Sequence, residues 1–182
     1  MELCTTEIVQ ALHSERKFVG AFPSNNIPTK KIHPPYGIIV NCDRDDQPGS
    51  HWVAIYVTPN GHGEYFDSFG REPFVKEIVD FLVLQDVCFC CSSVVIQHPA
   101  SAACGFFSIG FLLARFRSIS FEKYLSAFDA DDLRANDNQI LKWTSTLATG
   151  NSKKFVRSLT LKASRSAALM KNHALCQWSF QS

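Results

Sequence analysis

The stretch CGFFSIGFLLARF, residues 104–116, limits the folds open to this chain more than any other. As a helix it is apolar around most of its circumference, and such a helix belongs at the centre of a domain. Everything else must wrap it. GIIVNC (37–42) and HWVAIYV (51–57), rich in β-branched and aromatic residues, read as buried strands. TPNGHG supplies turn chemistry at Asn60-Gly61, so EYFDSFG (64–70) returns as the second arm of a hairpin, and VCFCCSSVVIQ (87–97) reads as a further strand. Helical periodicity is expected over 2–18, over FVKEIVDFLVLQ (74–85), over SFEKYLSAF (120–128) with Ser120 as N-cap, and over NDNQILKWTSTLA (136–148), which opens on an Asn-Asp cap. The four prolines of FPSNNIPTKKIHPPYG (22–37) break regular structure. These elements imply an α+β fold: a small mixed sheet packed on a buried central helix, with flanking helices.

With 182 residues, 46% of them apolar, the chain can bury the core of one domain. Charge divides it. Up to Gly150 acids exceed bases, whereas 151–182 holds Lys153, Lys154, Arg157, Lys162, Arg165 and Lys171 and no acid. Residues 1–148 are therefore expected as the folded domain and 149–182 as a basic tail, partly disordered or helical. Such tails are more often solvated than ligand-bound, with phosphate neutralisation on nucleic acid as the alternative. The opening residues lack a basic start followed by an apolar segment, and no run is long enough to cross a bilayer, so an intracellular chain without a membrane partner is expected. Seven cysteines, an odd number, favour reduced thiols over a disulfide framework. CFCC (88–91) with His98 lacks the paired spacing of a structural zinc site and reads as small core residues, so no metal is expected. His33 and His62 read as surface residues, and His13 as a residue on a helix face.

Cys104 opens the apolar helix, where unsatisfied backbone N–H groups and the positive end of the helix dipole favour a thiolate. Gly105 allows a close backbone approach, and Ser101, Ala102 and Ala103 leave room for an extended substrate. A cysteine nucleophile needs a base and an orienter for that base. His51, at the mouth of a strand, suits the first role, and Asp67, on the returning strand, suits the second. Their register is awkward: a two-residue turn on Asn60-Gly61 places His51 opposite Gly70 and leaves Asp67 roughly 10 Å away along the strand. The pair therefore predicts a hairpin centred nearer Pro59 or a bulge after the turn. Gln97 could stabilise an oxyanion together with the Cys104 N–H, with Pro99 stiffening the link between them. Trp52, next to His51, should face the other side of its strand and pack.

GSHWVAIYV, YFDSFG and QHPASAACGFF resemble the adenovirus endopeptidase (adenain) family of cysteine proteases, and more closely its relatives in Polinton or Maverick elements and related viruses. The resemblance runs from about Phe18 to Phe116 and extends through helices to about Ala148. It implies His51 as base, Asp67 as acidic orienter, Gln97 as oxyanion donor and Cys104 as nucleophile. Asp67 stands where mammalian adenovirus enzymes carry glutamate, though aspartate occurs elsewhere in the wider clan, which includes ubiquitin-like protein proteases. The family's activity implies cleavage after glycine in viral or mobile-element structural precursors, in the infected-cell nucleus or cytoplasm and the virion; a monomer is expected. It also implies stimulation by DNA or by a viral peptide that forms a disulfide with a non-catalytic cysteine. The sequence itself requires neither cofactor, and the region of Cys88, Cys90 and Cys91 does not align securely with that cysteine. Two alternatives stand beside this reading: a ubiquitin-like protein protease with the same residues, and a non-catalytic domain tethered to DNA by its basic tail.

Overall fold

A computed structural model describes residues 2–145, 152–166 and 175–178. Six helices are described, α1 (Thr5–Leu12), α2 (Lys76–Gln85), α3 (Cys104–Phe116), α4 (Phe121–Leu125), α5 (Leu133–Thr144) and α6 (Ser152–Ser166). They pack around strands β1 (Phe18–Pro23), β2 (Tyr36–Asn41), β3 (Trp52–Val57), β4 (Gly63–Phe66), β5 (Phe89–Ser92) and β6 (Leu175–Trp178). The six strands form one sheet in chain order. It is mixed: β1 with β2 and β4 with β5 run parallel, and the other neighbours antiparallel. None of the described helices is long and apolar enough to cross a membrane.

The central helix falls where its composition requires. Phe107, Phe111, Leu112 and Ala114 of α3 are fully buried in a cluster that takes Trp52, Ala54 and Tyr56 from β3. The intervening Val53, Ile55 and Val57 point into a second cluster, with Ile78, Phe81 and Leu82 of α2. Both faces of the sheet are thus covered, which is why β2 and β3 are apolar without alternation. The expected mixed sheet on a buried helix is the fold observed.

Several boundaries differ from the sequence reading. The first helix is confined to α1, because Cys4 and Glu7 close a capping box at its start and the chain leaves the helix at His13. β1 forms in a segment whose periodicity had no strand signal. Ser120 caps α4 as expected, accepting from the Lys123 N–H at 3.2 Å. In α5 the cap is Asp132, accepting from the Ala135 N–H at 3.0 Å, so Asn136 and Asp137 lie inside the helix. Of the segment read as a basic tail, α6 places Phe155, Leu159 and Ala163 in the core around α3, and β6 pairs with β5.

Candidate active site

Hairpin register brings the site together, though not in either way expected. β3 and β4 pair Ala54 with Phe66 and Val57 with Gly63, so the turn centres on Asn60 rather than Pro59, and the described pairs show no bulge. Continued beyond the strands, that register sets His51 opposite Phe69. Phe69 indeed stacks on the imidazole, with ring centroids 5.0 Å apart. Asp67 reaches the ring diagonally, because it leaves β4 at the start of a turn closed by the Gly70 N–H on the Asp67 carbonyl at 2.9 Å. His51 Nε2 donates to Asp67 Oδ1 at 2.8 Å, and the Phe69 N–H donates to the same oxygen at 2.8 Å. The turn needs Gly70, whose φ is +64° and whose absent Cβ would lie 2.6 Å from the Ser93 carbonyl oxygen. Arg71 closes the stack, its guanidinium 4.9 Å from the Phe69 centroid.

The pair is out of water: His51 is 5% exposed and Asp67 1%. Burial by itself disfavours an imidazolium, but the hydrogen bonds and charges of Asp67 and Cys104 outweigh it and raise the His51 pKa to about 9. Nε2 is committed to Asp67. Nδ1 is buried with no hydrogen-bond partner, and Cys104 is close enough to add to the shift of His51. Asp67 Oδ2 is likewise buried and unpartnered.

Gln97 is fully buried, and its amide is held at both ends. Nε2 donates to the Ser101 carbonyl at 2.7 Å, and the Ser68 hydroxyl donates to Oε1 at 2.6 Å. The backbone N–H groups of Ile96 and Gln97 both donate to the Ser68 carbonyl, at 3.0 and 3.2 Å. From α5, Asn136 Nδ2 donates to the Ile96 carbonyl at 3.0 Å, and Asp137 Oδ1 accepts from the His98 N–H at 3.4 Å. These α5 residues, read as a cap in the sequence, brace the loop that carries Gln97. Ser68 had no signal of its own in the sequence beyond its place in YFDSFG.

Cys104 is the first residue of α3, 3% exposed, and no side chain caps the helix. The close approach at Gly105 comes from side chains, not backbone: a Cβ there would meet Leu3 and Trp52, each at 3.3 Å. Trp52 packs on the α3 face, as expected, and its indole N–H donates to the Leu3 carbonyl at 2.9 Å. Beside it opens a groove of about 420 Å³ with Leu3, Asn41, Gln47, Gly49 and Trp52 in its walls. Burial, helped for Cys42 by the charge of Asp67 and for Cys90 by that of Glu64, pushes the thiols of Cys42 and Cys90 up to about 12. His13, His33 and His62 are exposed.

No family model matches the chain. Individual proteins do. The protease of fowl adenovirus A serotype 1 is 28% identical over 136 residues, which cover 66% of this chain and 62% of that protein. The cysteine protease of African swine fever virus is 28% identical over 108 residues, covering 53% of this chain and 40% of the relative. A protein of Acanthamoeba polyphaga mimivirus named as a thiol protease is 40% identical over 73 residues, covering 31% of this chain and 24% of its own length. The chain therefore spans less than two thirds of the length of each relative. The chain is thus similar to proteases of three viruses, two of them named as cysteine or thiol proteases. The adenovirus relative is in line with the resemblance of the motifs, and the α+β architecture is the one expected.

Proposed function

We propose that the protein is a cysteine endopeptidase in which Cys104 attacks, His51 moves the proton, Asp67 orients His51, and Gln97 with the Cys104 N–H receives the oxyanion. The observation that carries this reading is the buried 2.8 Å His51–Asp67 contact with Nδ1 left for Cys104 at the start of α3. His51 holds the proton and Cys104 supplies the sulfur. The sulfur adds to the peptide carbonyl, charge develops on oxygen, His51 gives its proton to the leaving amine, and the thioester remains. His51, now neutral, takes a proton from water as it attacks the thioester, which frees the acid product and restores the pair.

Substrates are polypeptides cut after glycine, in viral or mobile-element structural precursors, on the strength of the adenain resemblance. The small side chains of Ala102 and Ala103 before Cys104 suit so narrow a residue. DNA is proposed as a stimulant, with the exposed Arg157 and Lys162 of α6 as cationic contacts, and a peptide activator is the other candidate. A peptide library rich in glycine pairs, incubated with parent and Cys104→Ala, each with and without DNA, tests both points. Cleavage after glycine that vanishes in the variant supports the endopeptidase, and acceleration by DNA supports the cofactor. DNA binding without cleavage or thiol reactivity would support the tethered binding domain instead.

One African swine fever virus relative bears the name SUMO-1 cysteine protease, which favours a ubiquitin-like protein protease as the second reading. Cleavage of a folded ubiquitin-like fusion in preference to a short glycine-containing peptide would reverse the order.

A further inference from the structure

We infer that Ser68 is the positioning residue of the oxyanion donor: its hydroxyl fixes which way the Gln97 amide faces. The inference rests on the protease reading above for its kinetic consequence, but its geometry stands alone. A carbonyl oxygen can only accept, so the Ser101 carbonyl at 2.7 Å must face the amino end of Gln97. The amide oxygen then faces Ser68, whose hydroxyl donates to it at 2.6 Å, with both residues fully buried. One Nε2 hydrogen is used by Ser101, and the other is left to reach an oxyanion. Without Ser68 the buried Oε1 loses its donor, the amide can turn, and the remaining N–H no longer holds one direction.

The same residue ties the two halves of the site together. Its carbonyl receives the Ile96 and Gln97 N–H groups, while its neighbour Asp67 holds His51. Loss of the hydroxyl leaves those backbone bonds in place, so the effect should fall on Gln97 and not on the His51–Asp67 pair.

The test is a double-mutant cycle of Ser68→Ala and Gln97→Ala read as kcat and KM, with the Gln97 side-chain amide followed by NMR. Ser68→Ala is expected to lower kcat about tenfold or more, with KM little changed, and to broaden or shift the Gln97 NH₂ pair while alkylation of Cys104 keeps its rate. In the Gln97→Ala background the same change should alter kcat less than about twofold. Equal losses in both backgrounds would mean a merely structural role and overturn the inference. An unshifted Gln97 amide would overturn it whether or not any peptide is cleaved, and absence of Cys104-dependent cleavage from the parent would count against the protease reading alone. Ser68→Cys, which keeps the volume but weakens the donor, serves the same cycle should Ser68→Ala fail to fold.

Discussion

At His51, desolvation and charge act in opposite directions, and charge wins: the pKa stands at about 9 against an ordinary 6.5. A raised folded pKa means that between those values the folded protein keeps a proton the unfolded chain releases. The stabilisation is complete below about 6.5 and is lost as pH rises through about 9, with a slope of at most about 1.4 kcal/mol per pH unit from this group. Urea unfolding free energies should fall over that window in the parent and fall less in His51→Ala. The same proton goes to the leaving amine, so kcat/KM should decline as pH rises through about 9. Asp67→Asn should move this limb downward and lower kcat about 10²-fold or more. A limb left unmoved would remove Asp67 from the pair. Part of the shift comes from Cys104, so an NMR titration of His51 in Cys104→Ala should return a lower pKa than in the parent.

The turn after β4 is the element on which the site depends. From it Asp67 and Phe69 both reach His51, Ser68 reaches Gln97, and Gly70 makes the bend possible. Gly70→Ala combines a positive φ with a Cβ placed 2.6 Å from a backbone oxygen, and should destabilise the protein by about 2 kcal/mol or more while cutting activity. Gly61→Ala is the control: its φ is also positive, but nothing lies within 4 Å, so about 1 kcal/mol of strain is expected and little change in kcat. Comparable losses at the two positions would argue that the turn has no special role. This element also shows what the sequence could and could not disclose. Strands β2 to β5, the helix starting at Cys104 and the four residue types of the candidate site were legible in composition and order, whereas β1 and β6 were not. The route by which Asp67 meets His51 was not, because it depends on where the chain leaves β4, which pairing periodicity does not encode. Asn136 and Asp137 misled for a related reason: side chains that suit a helix cap also suit bracing a loop, and only the true cap at Asp132 separates the two uses.

On the scale of the whole molecule, α3 covers one face of the sheet and α2 the other, and α6 of the basic C-terminal region shares in the core. Leu159→Ala in α6 should cost about 2–5 kcal/mol, since the side chain is fully buried, whereas Leu161→Ala, 54% exposed, should change stability by about 0.5 kcal/mol or less. Removal of residues 149–182 should lower the melting temperature accordingly, and an unchanged melt would assign the region no share in stability. The fold thus sets Cys104 at a buried helix start within interaction range of His51, and the central claim concerns what that sulfur does. A peptide carrying a C-terminal glycine vinyl sulfone, incubated with the protein and mapped by mass spectrometry, tests it most directly. A single adduct on Cys104, absent in Cys104→Ala and slowed in His51→Ala, is the expected result. Modification spread over the exposed Cys4 and Cys88 with Cys104 untouched in folded protein would contradict it.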